Sequence, residues 1–375
     1  MKVVIFAHAK ENHTWPVKWA LEQAGYEVAC WGGLSWTEQQ QASLLWDTTA
    51  KQMKMELGPF TVEPGDVVWI RRPGHPSHNP NVAEADRKFA EMEYRSFYHS
   101  IAYTLETLPV WCINKFSAAR FIHNKAVQLQ LAQACGLRIP ATLMSNSPGR
   151  IRALVDHNSN RTIGKGFTPH VWQRENEGGV SVTETFKLTP ERLPSDEVLT
   201  YAPAIYQEMV GKQFDIRMVL MGNRVYSFAL HNPQKALDWR QDAGLGNVQV
   251  EIVATPPDIE KAILAFARQA GICFGSVDFA VDNDGQWWFL EINEQGQFLW
   301  LDQFNPQARI LEKFCAFITA PEGSTQPLEN REGLFPSFEE YIKFYRSLPE
   351  NQEPIDIAAA VAASPYMSWE TERTG

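Results

Sequence analysis

Apolar and polar positions along the chain fall into blocks of different period. A β-rich apolar run over 2–7 gives way to helical spacing over 15–24. Gly25 ends that helix and a second β-rich run covers 26–31. A strand, a helix and a strand in this order predict parallel pairing through a helical crossover. The loop entering the helix, His8 to His13, holds no glycine, so the dinucleotide-binding fingerprint is absent. Residues 66–71 read as another buried strand, which brings Arg71 and Arg72 to its end just before Pro73-Gly74. A long helical pattern over 82–108 stops at Pro109, and 110–113 is a short strand.

A second unit opens near Asn114. Residues 124–135 are helical and closed by Gly136, and 137–140 lead into a strand. Residues 145–200 are polar and long for a bare connection. Gly178-Gly179 lies there between two segments, 171–174 and 180–183, that can pair as a hairpin. A third unit, from about Tyr201, carries two hairpin patterns and a helix over 257–269. Beyond Ala320, Pro, Glu, Ser and Gln dominate, with short helical patterns at 338–348 and 355–363.

Composition narrows the class. The 375 residues are 44% apolar and 21% charged, which fits a globular chain and argues against disordered, collagen-like and membrane classes. Apolar runs stop short of the roughly 18 residues a membrane span needs, and the N-terminus lacks a signal-peptide cleavage pattern. Forty-four acidic against 34 basic side chains leave a net charge of -10. That is the wrong field for a phosphate backbone, so nucleic acid is not an expected partner. Five dispersed cysteines without a CxxC pair predict reduced thiols and a cytoplasmic protein. His75 and His78 have ligand-like spacing but stand in a Pro-rich loop without a nearby cysteine, and no zinc site is expected. The histidines read as structural or surface groups.

The chemistry concentrates between Gly275-Ser-Val-Asp278 and Glu291-Ile-Asn293. Asp282-Asn-Asp-Gly285 is a turn between two β-rich runs. A turn centred on Asn283 and Asp284 places Asp278 opposite Phe289 and Ser276 opposite Glu291. Val277, Phe279, Val281, Trp288, Leu290 and Ile292 then share a core face, and Asp278, Glu291 and Asn293 gather diagonally on the other. Two carboxylates and an amide oxygen suit Mg2+, which takes a few protein oxygens together with phosphate oxygens and water. The competing reading is an edge hairpin whose polar face meets water. Strands of that kind more often carry Lys, Thr and Arg.

A second hairpin runs through 205–210, 214–221, Gly222-Asn223 and 224–230. Its turn pairs Val219 with Tyr226 and Arg217 with Phe228. Asp215 and Arg217 project to one side, and Ile216, Met218 and Leu220 to the other. Such a charged pair on an apolar strand needs compensation, either from each other as a structural ion pair or from a ligand.

The order Gln207-Glu-Met-Val210, Asp215-Ile-Arg217, Gly275-Ser-Val-Asp278, Glu291-Ile-Asn293 resembles the ATP-grasp carboxylate ligases. Further motifs are Trp69-Ile-Arg-Arg-Pro73, Asn124-Lys-Ala-Val-Gln-Leu-Gln-Leu131, Gly136-Leu-Arg-Ile-Pro140 and Glu291-Ile-Asn-Glu-Gln-Gly-Gln297. These are similar to the graspetide synthetases, microviridin-type ligases that cross-link ribosomal peptides. The resemblance implies an α/β protein with α+β lobes, an ATP-grasp fold behind an N-terminal Rossmann-like pre-ATP-grasp domain. It divides the chain into an N-terminal domain at 1–113 and a first lobe with a lid or hairpin insert at 114–200. A second lobe with the metal site follows at 201–320. The C-terminal extension at 321–375 lies outside the likeness.

Residue by residue, the resemblance implies that Asp278, Glu291 and Asn293 hold two Mg2+ against the phosphates of ATP. Lys125 and Lys165 would contact phosphate. Lys165 is four residues ahead of Pro169, not in the usual strand-then-proline setting, which makes Arg161 its rival. Glu208 and the backbone of Met209 and Val210 would take adenine, and Asp215 the ribose. Arg217 would meet the transferred phosphate, with Arg71 and Arg72 joining it in the catalytic set from the N-terminal domain.

The implied reaction begins with a carboxylate attacking the γ-phosphate of ATP. A hydroxyl or amine then displaces phosphate from the acyl phosphate, giving an ester or amide. Residues 165–185, with Gly166, Gly178 and Gly179, are the expected lid. The implied partner is a precursor peptide with leader and core; a homodimer is compatible, and neither nucleic acid nor membrane is implied. A ligase joining an amino acid to a small amine or dipeptide would use the same nucleotide residues and stays open. A non-catalytic nucleotide- or peptide-binding protein is disfavoured, because all three metal-ligand positions are kept.

Overall fold

The computed structural model describes residues 1–49, 51–158, 161–168, 185–231, 248–320, 331 and 333–348, and the backbone of 171–174 and 179–182. β1 (Lys2–Ala7), α1 (Thr14–Gln23) and β2 (Glu27–Trp31) form the parallel crossover read from the sequence. An antiparallel meander follows: β3 (Ala42–Asp47), β4 (Gln52–Leu57) and β5 (Phe60–Val62). The sequence reading assigned nothing there, although Met53, Met55 and Leu57 alternate with Lys54 and Glu56. Met55 and Leu57 are buried with Val4, Phe6 and Ile70. β6 (Val67–Arg72) pairs with β1. After α2 (Glu84–Leu105), β7 (Trp111–Ile113) pairs with β6, giving an all-parallel sheet in the order β2-β1-β6-β7.

The next segment contains α3 (Phe116–Ile122), α4 (Lys125–Ala134), β8 (Thr142–Ser145), α5 (Pro148–His157) and β9 (Thr162–Lys165). Asn124 caps α4 by accepting from the Ala126 and Val127 N–H groups. β10 (Val171–Arg174) and β11 (Gly179–Val182) pair as the expected hairpin, Val171 opposite Val182. Gly178 falls outside the described residues. β12 (Phe186–Leu188), α6 (Asp196–Tyr201) and β13 (Ala204–Glu208) complete a sheet in the order β12-β9-β13-β8. The interval 145–200, read from the sequence as polar, thus builds a lobe around Ile151, Val155, Leu188, Leu199 and Tyr206.

The last sheet contains β14 (Lys212–Met221), β15 (Arg224–His231), β16 (Gln249–Val253), β17 (Phe274–Asp282) and β18 (Trp287–Asn293). It is antiparallel in the order β16-β15-β14-β17-β18. On one face, Ile216, Met218, Val277 and Phe289 pack with Ile263 and Phe266 of the helix Pro257–Ala270. On the other, Val219, Met221, Phe228 and Phe274 join Val3, Ile5, Trp69 and Ile113 from the parallel sheet. Phe314 and Phe317 of the helix Ile310–Ile318 complete this cluster. The parallel sheet and the β14–β18 sheet therefore share one core, while α3 and α4 pack on the other face of the latter with Ile122 and Ala132. The β12-β9-β13-β8 sheet has its own core. Along β14, Met221 and Val219 enter the shared core, while Arg217 and Asp215 lie beyond its margin on the same face.

The helix Phe338–Ser347, expected at 338–348, begins with a Ser337–Glu340 capping box and lies over α1. Trp19 stacks on Phe344 at 5.5 Å and meets Tyr341 at 5.6 Å. The pattern at 355–363 lies outside the described residues. Among the described residues, no helix is long and apolar enough to cross a membrane.

Candidate nucleotide and metal site

The turn between β17 and β18 is longer than the sequence reading allowed. Asp282 Oδ1 accepts from the Asp284 N–H at 3.0 Å and the Gln286 N–H at 2.9 Å. Val281 then faces Trp287, and Phe279 faces Phe289. Leu290 is an extra, bulged residue, after which Asp278 faces Glu291 and Ser276 faces Asn293. Trp287 and Phe289 therefore take the core positions expected for Trp288 and Leu290. Trp288 instead donates to Asp282 Oδ2 at 2.8 Å, and the Arg138 guanidinium lies 5.1 Å from its ring. The expected diagonal also becomes a direct cross-strand pair. Turn and bulge offset each other in parity, so Asp278, Glu291 and Asn293 still share a face.

Arg217 on β14 lies opposite Asp278, so one line across three strands reads Arg217, Asp278, Glu291. Arg217 Nη1 is 3.2 Å from Asp278 Oδ1. Lys125, in the first turn of α4, donates to Glu291 Oε2 at 2.7 Å. Arg217 and Asp278 are buried, and the Arg217 guanidinium stands 5.9 Å from the Trp300 ring centre. Asp215 meets Lys212 Nζ at 2.7 Å. Arg217 is thus joined to a candidate metal carboxylate, and Asp215 to a lysine of its own strand.

Adjacent strands stand about 4.8 Å apart, so opposed carboxylates converge within reach of shared cations. Here each is matched by a cationic side chain. Asn293 adds an amide oxygen, which accepts the Gln295 N–H at 2.9 Å. The oxygen-only donor set suits Mg2+, which would compete with Arg217 and Lys125 for the two carboxylates. Among the described residues, no three His, Cys, Asp or Glu side chains form a metal cluster. The set present is two carboxylates and one amide.

At the junction of the lobes, the Met209 N–H donates to the Arg161 carbonyl at 2.7 Å, and the Lys212 N–H donates to the Val210 carbonyl at 2.8 Å. The Met209 N–H and the Val210 carbonyl, both in the expected adenine contact, therefore carry bonds within the chain. Glu208, half-buried, lies 3.6 Å from the Arg161 guanidinium. Lys165 sits at the other end of β9, opposite Ile205, and donates to Gln207 Oε1 at 3.3 Å. A cleft of about 620 Å³ opens beside Glu208, lined by Ala126 and Leu129 of α4, Thr142 and Met144 of β8, and Trp288.

Arg71, expected in the catalytic set, lies sealed inside the protein. Its side chain is 0% exposed. Nε donates to Glu11 Oε1 at 3.1 Å, and Nη1 donates to the carbonyls of Gln295 and Gly296. Buried His13 has Nδ1 3.1 Å from Glu11 Oε1, while Nε2 accepts from the Phe298 N–H at 3.0 Å. Burial first, and then the Arg71 charge, lowers His13 from 6.5 to about 4, so the ring is neutral. Burial pushes the Glu11 carboxyl up, but Arg71 and His13 hold it well below the usual range. Burial also lowers Arg71 to about 10, which leaves it charged at neutral pH. Asn114 adds a bond from Nδ2 to the Glu294 carbonyl at 3.2 Å. Arg71, His13 and Asn114 thus grip the loop that follows Asn293, and the Arg71 guanidinium is enclosed by protein partners. Arg72, half-buried, donates to the Gln295 carbonyl at 3.4 Å and stays at the margin of the site. Glu11 and Asn114 carried no sequence signal: the cation Glu11 holds, Arg71, is 60 residues away, and the partners of Asn114 are backbone groups distant in sequence.

Neither a protein-family model nor a curated protein matches the chain in sequence. Solved structures match in fold. The RiPP-associated ATP-grasp ligase of Chryseobacterium gregarium, in complex with ADP and a leader and core peptide, gives a TM-score of 0.74 at 23% identity, covering 87% of this chain and 99% of that one. Macrocyclase MdnC from Microcystis aeruginosa MRC, bound with precursor peptide MdnA, gives 0.68 at 22% identity, covering 85% and 99%. ATP-grasp ligase PsnB, complexed with minimal precursor, Mg and ADP, gives 0.60 at 18% identity, covering 82% and 96%. The chain has the ATP-grasp fold. These three structures are ligases solved with leader, core or precursor peptides.

Proposed function

We propose that this chain is a graspetide-type ATP-dependent ligase that activates carboxylates of a ribosomal precursor peptide and joins them to hydroxyls or amines. The observation that carries the reading is the line Arg217, Asp278, Glu291 with Lys125 against its end, set on an ATP-grasp fold. Asp278, Glu291 and Asn293 would hold two Mg2+, which supply charge neutralisation at the phosphates when bound. Arg217, fixed by burial and by Asp278, places positive charge at the transferred phosphate. Lys125 and Lys165 serve the other phosphates; the position of Arg161 beside Glu208 supports Lys165 over it. Glu208, the Met209 carbonyl and the Val210 N–H take adenine, and Asp215 the ribose. Arg72 lines the margin. The β10–β11 hairpin offers backbone edges to the leader of the peptide. Free cysteines, including exposed Cys30, support a reducing, cytoplasmic setting.

The test incubates the protein with ATP, Mg2+ and a short peptide from a neighbouring reading frame that repeats Thr or Ser with Glu or Asp. ADP release together with loss of one water mass per cross-link is expected. ADP release with amino acids or dipeptides, and none with the peptide, would move the assignment to a small-molecule ligase.

A further inference from the structure

β18, which carries Glu291 and Asn293, is the edge strand of its sheet, and among the described residues no further strand covers its outer backbone. Near the turn, the Phe289 N–H donates to the Arg138 carbonyl at 2.8 Å. Beyond the Leu290 bulge, a side chain takes over. The Ile292 N–H donates to Gln128 Oε1 at 3.1 Å, and Gln128 Nε2 donates to the Ile292 carbonyl at 2.9 Å. Nε2 also donates to the Ile122 carbonyl at 2.8 Å. The carboxamide reproduces the paired exchange of an antiparallel ladder, with both its hydrogens and its oxygen used.

We propose that Gln128 is a positioning residue for the metal ligands, fixing the strand backbone between Glu291 and Asn293. The inference rests on the metal reading above. Gln128 is 1% exposed, and a buried amide of this kind is retained only where it is fully bonded. Ile292 is held twice, by its side chain in the core at 0% exposure and by Gln128 at its backbone. Alternation along the strand then directs Glu291 and Asn293 to the face that carries Asp278. A bulge disrupts the ladder locally, so the register just after Leu290 needs an external constraint. Lys125 and Gln128 are three apart on α4 and share a helix face. One helix therefore touches a ligand side chain through Lys125 and sets the ligand backbone through Gln128.

The test compares wild type with Gln128→Met, which keeps the volume and removes the three bonds. Gln128→Ala serves as a second variant that leaves room for water if the first does not fold. Mn2+ binding is titrated by electron paramagnetic resonance in the presence of a non-hydrolysable ATP analogue, and hydrogen exchange is followed at the Ile292 amide. Loss of partners that orient metal ligands costs about 10–100-fold in affinity. Mn2+ affinity should fall at least about tenfold, with faster Ile292 exchange and a matching rise in half-saturating Mg2+ for ADP release. Variants that melt lower but bind Mn2+ like the wild type would overturn the inference and leave the metal reading intact. Wild type that binds no Mn2+ with the analogue would overturn the metal reading, and this inference with it.

Discussion

Replacing Arg71 by methionine separates the clamp seen in the structure from the catalytic role that the sequence motif implied. The substitution keeps most of the apolar stem and removes a fully buried guanidinium. Glu11 would then lie buried without its cation, and removing one member of a buried pair costs about 3–5 kcal/mol. The Gly296 carbonyl also loses a donor, at about 1–3 kcal/mol if left unsatisfied, while the Gln295 carbonyl keeps its bond from Arg72. Allowing for overlap, the expected loss is about 5 kcal/mol, which is the whole margin of many domains. Urea unfolding gives the loss, and ADP release per folded molecule gives the catalytic share. Arg71→Lys keeps the charge without the fork and should fall between. Wild-type stability with abolished turnover in the methionine variant would refute the clamp. A pH arm follows from His13, whose proton uptake is blocked in the folded state. Between 6.5 and about 4 only the unfolded chain binds that proton, so stability present above 6.5 is lost as pH falls. At 1.36 kcal/mol per pH unit this approaches about 3 kcal/mol. Asp302 runs the other way. Burial raises it to about 7, so its contribution is present at low pH and lost as pH rises through about 7. The diagnostic quantity is therefore the difference between wild type and His13→Gln, which should shrink as pH falls toward 4.

Asp278→Asn and Glu291→Gln should keep the fold and lower turnover by more than the about 10–100-fold that loss of an outer partner costs; near-normal ADP release at saturating Mg2+ would sink the metal assignment. Arg217→Ala leaves Asp278 beside Glu291 without its buried cation, a loss of about 3 kcal/mol without metal. Its melting temperature should recover in part with Mg2+ and nucleotide, and a variant indifferent to Mg2+ would contradict that reasoning. Exchanging 172–183 for a Gly-Ser turn should weaken precursor binding in a titration while ATP affinity without peptide holds. The reverse outcome would make the hairpin a lid.

The two hairpins show what could be read in advance. The β14–β15 register was legible because Gly222-Asn223 is a two-residue turn that fixes every pair behind it. The β17–β18 register was not. Asp282 recruits two N–H groups into a longer turn, and the Leu290 bulge then cancels the shift. The shared face of Asp278, Glu291 and Asn293 was legible, while the pairing beneath it was not. Arg71 and Arg72 are adjacent and chemically alike, and only the tertiary partners of Arg71 reveal that it is sealed. The first lobe was underread because Ile151, Val155 and Leu199 are spread among polar neighbours and make a small core. Gln128 on a helix reads as solvent-facing until the edge strand is placed beside it.

The shared core has a consequence for synthesis. Val3 and Ile5 share one core with Phe314 and Phe317, which follow about 310 residues later in the chain. The β8–β13 unit intervenes, and its entry and exit lie side by side, with the Glu208 N–H bonded to the Ala141 carbonyl at 2.8 Å. Its own core depends on nothing translated later than Tyr206. On the ribosome, the middle of this protein can be finished while its beginning still waits for its end.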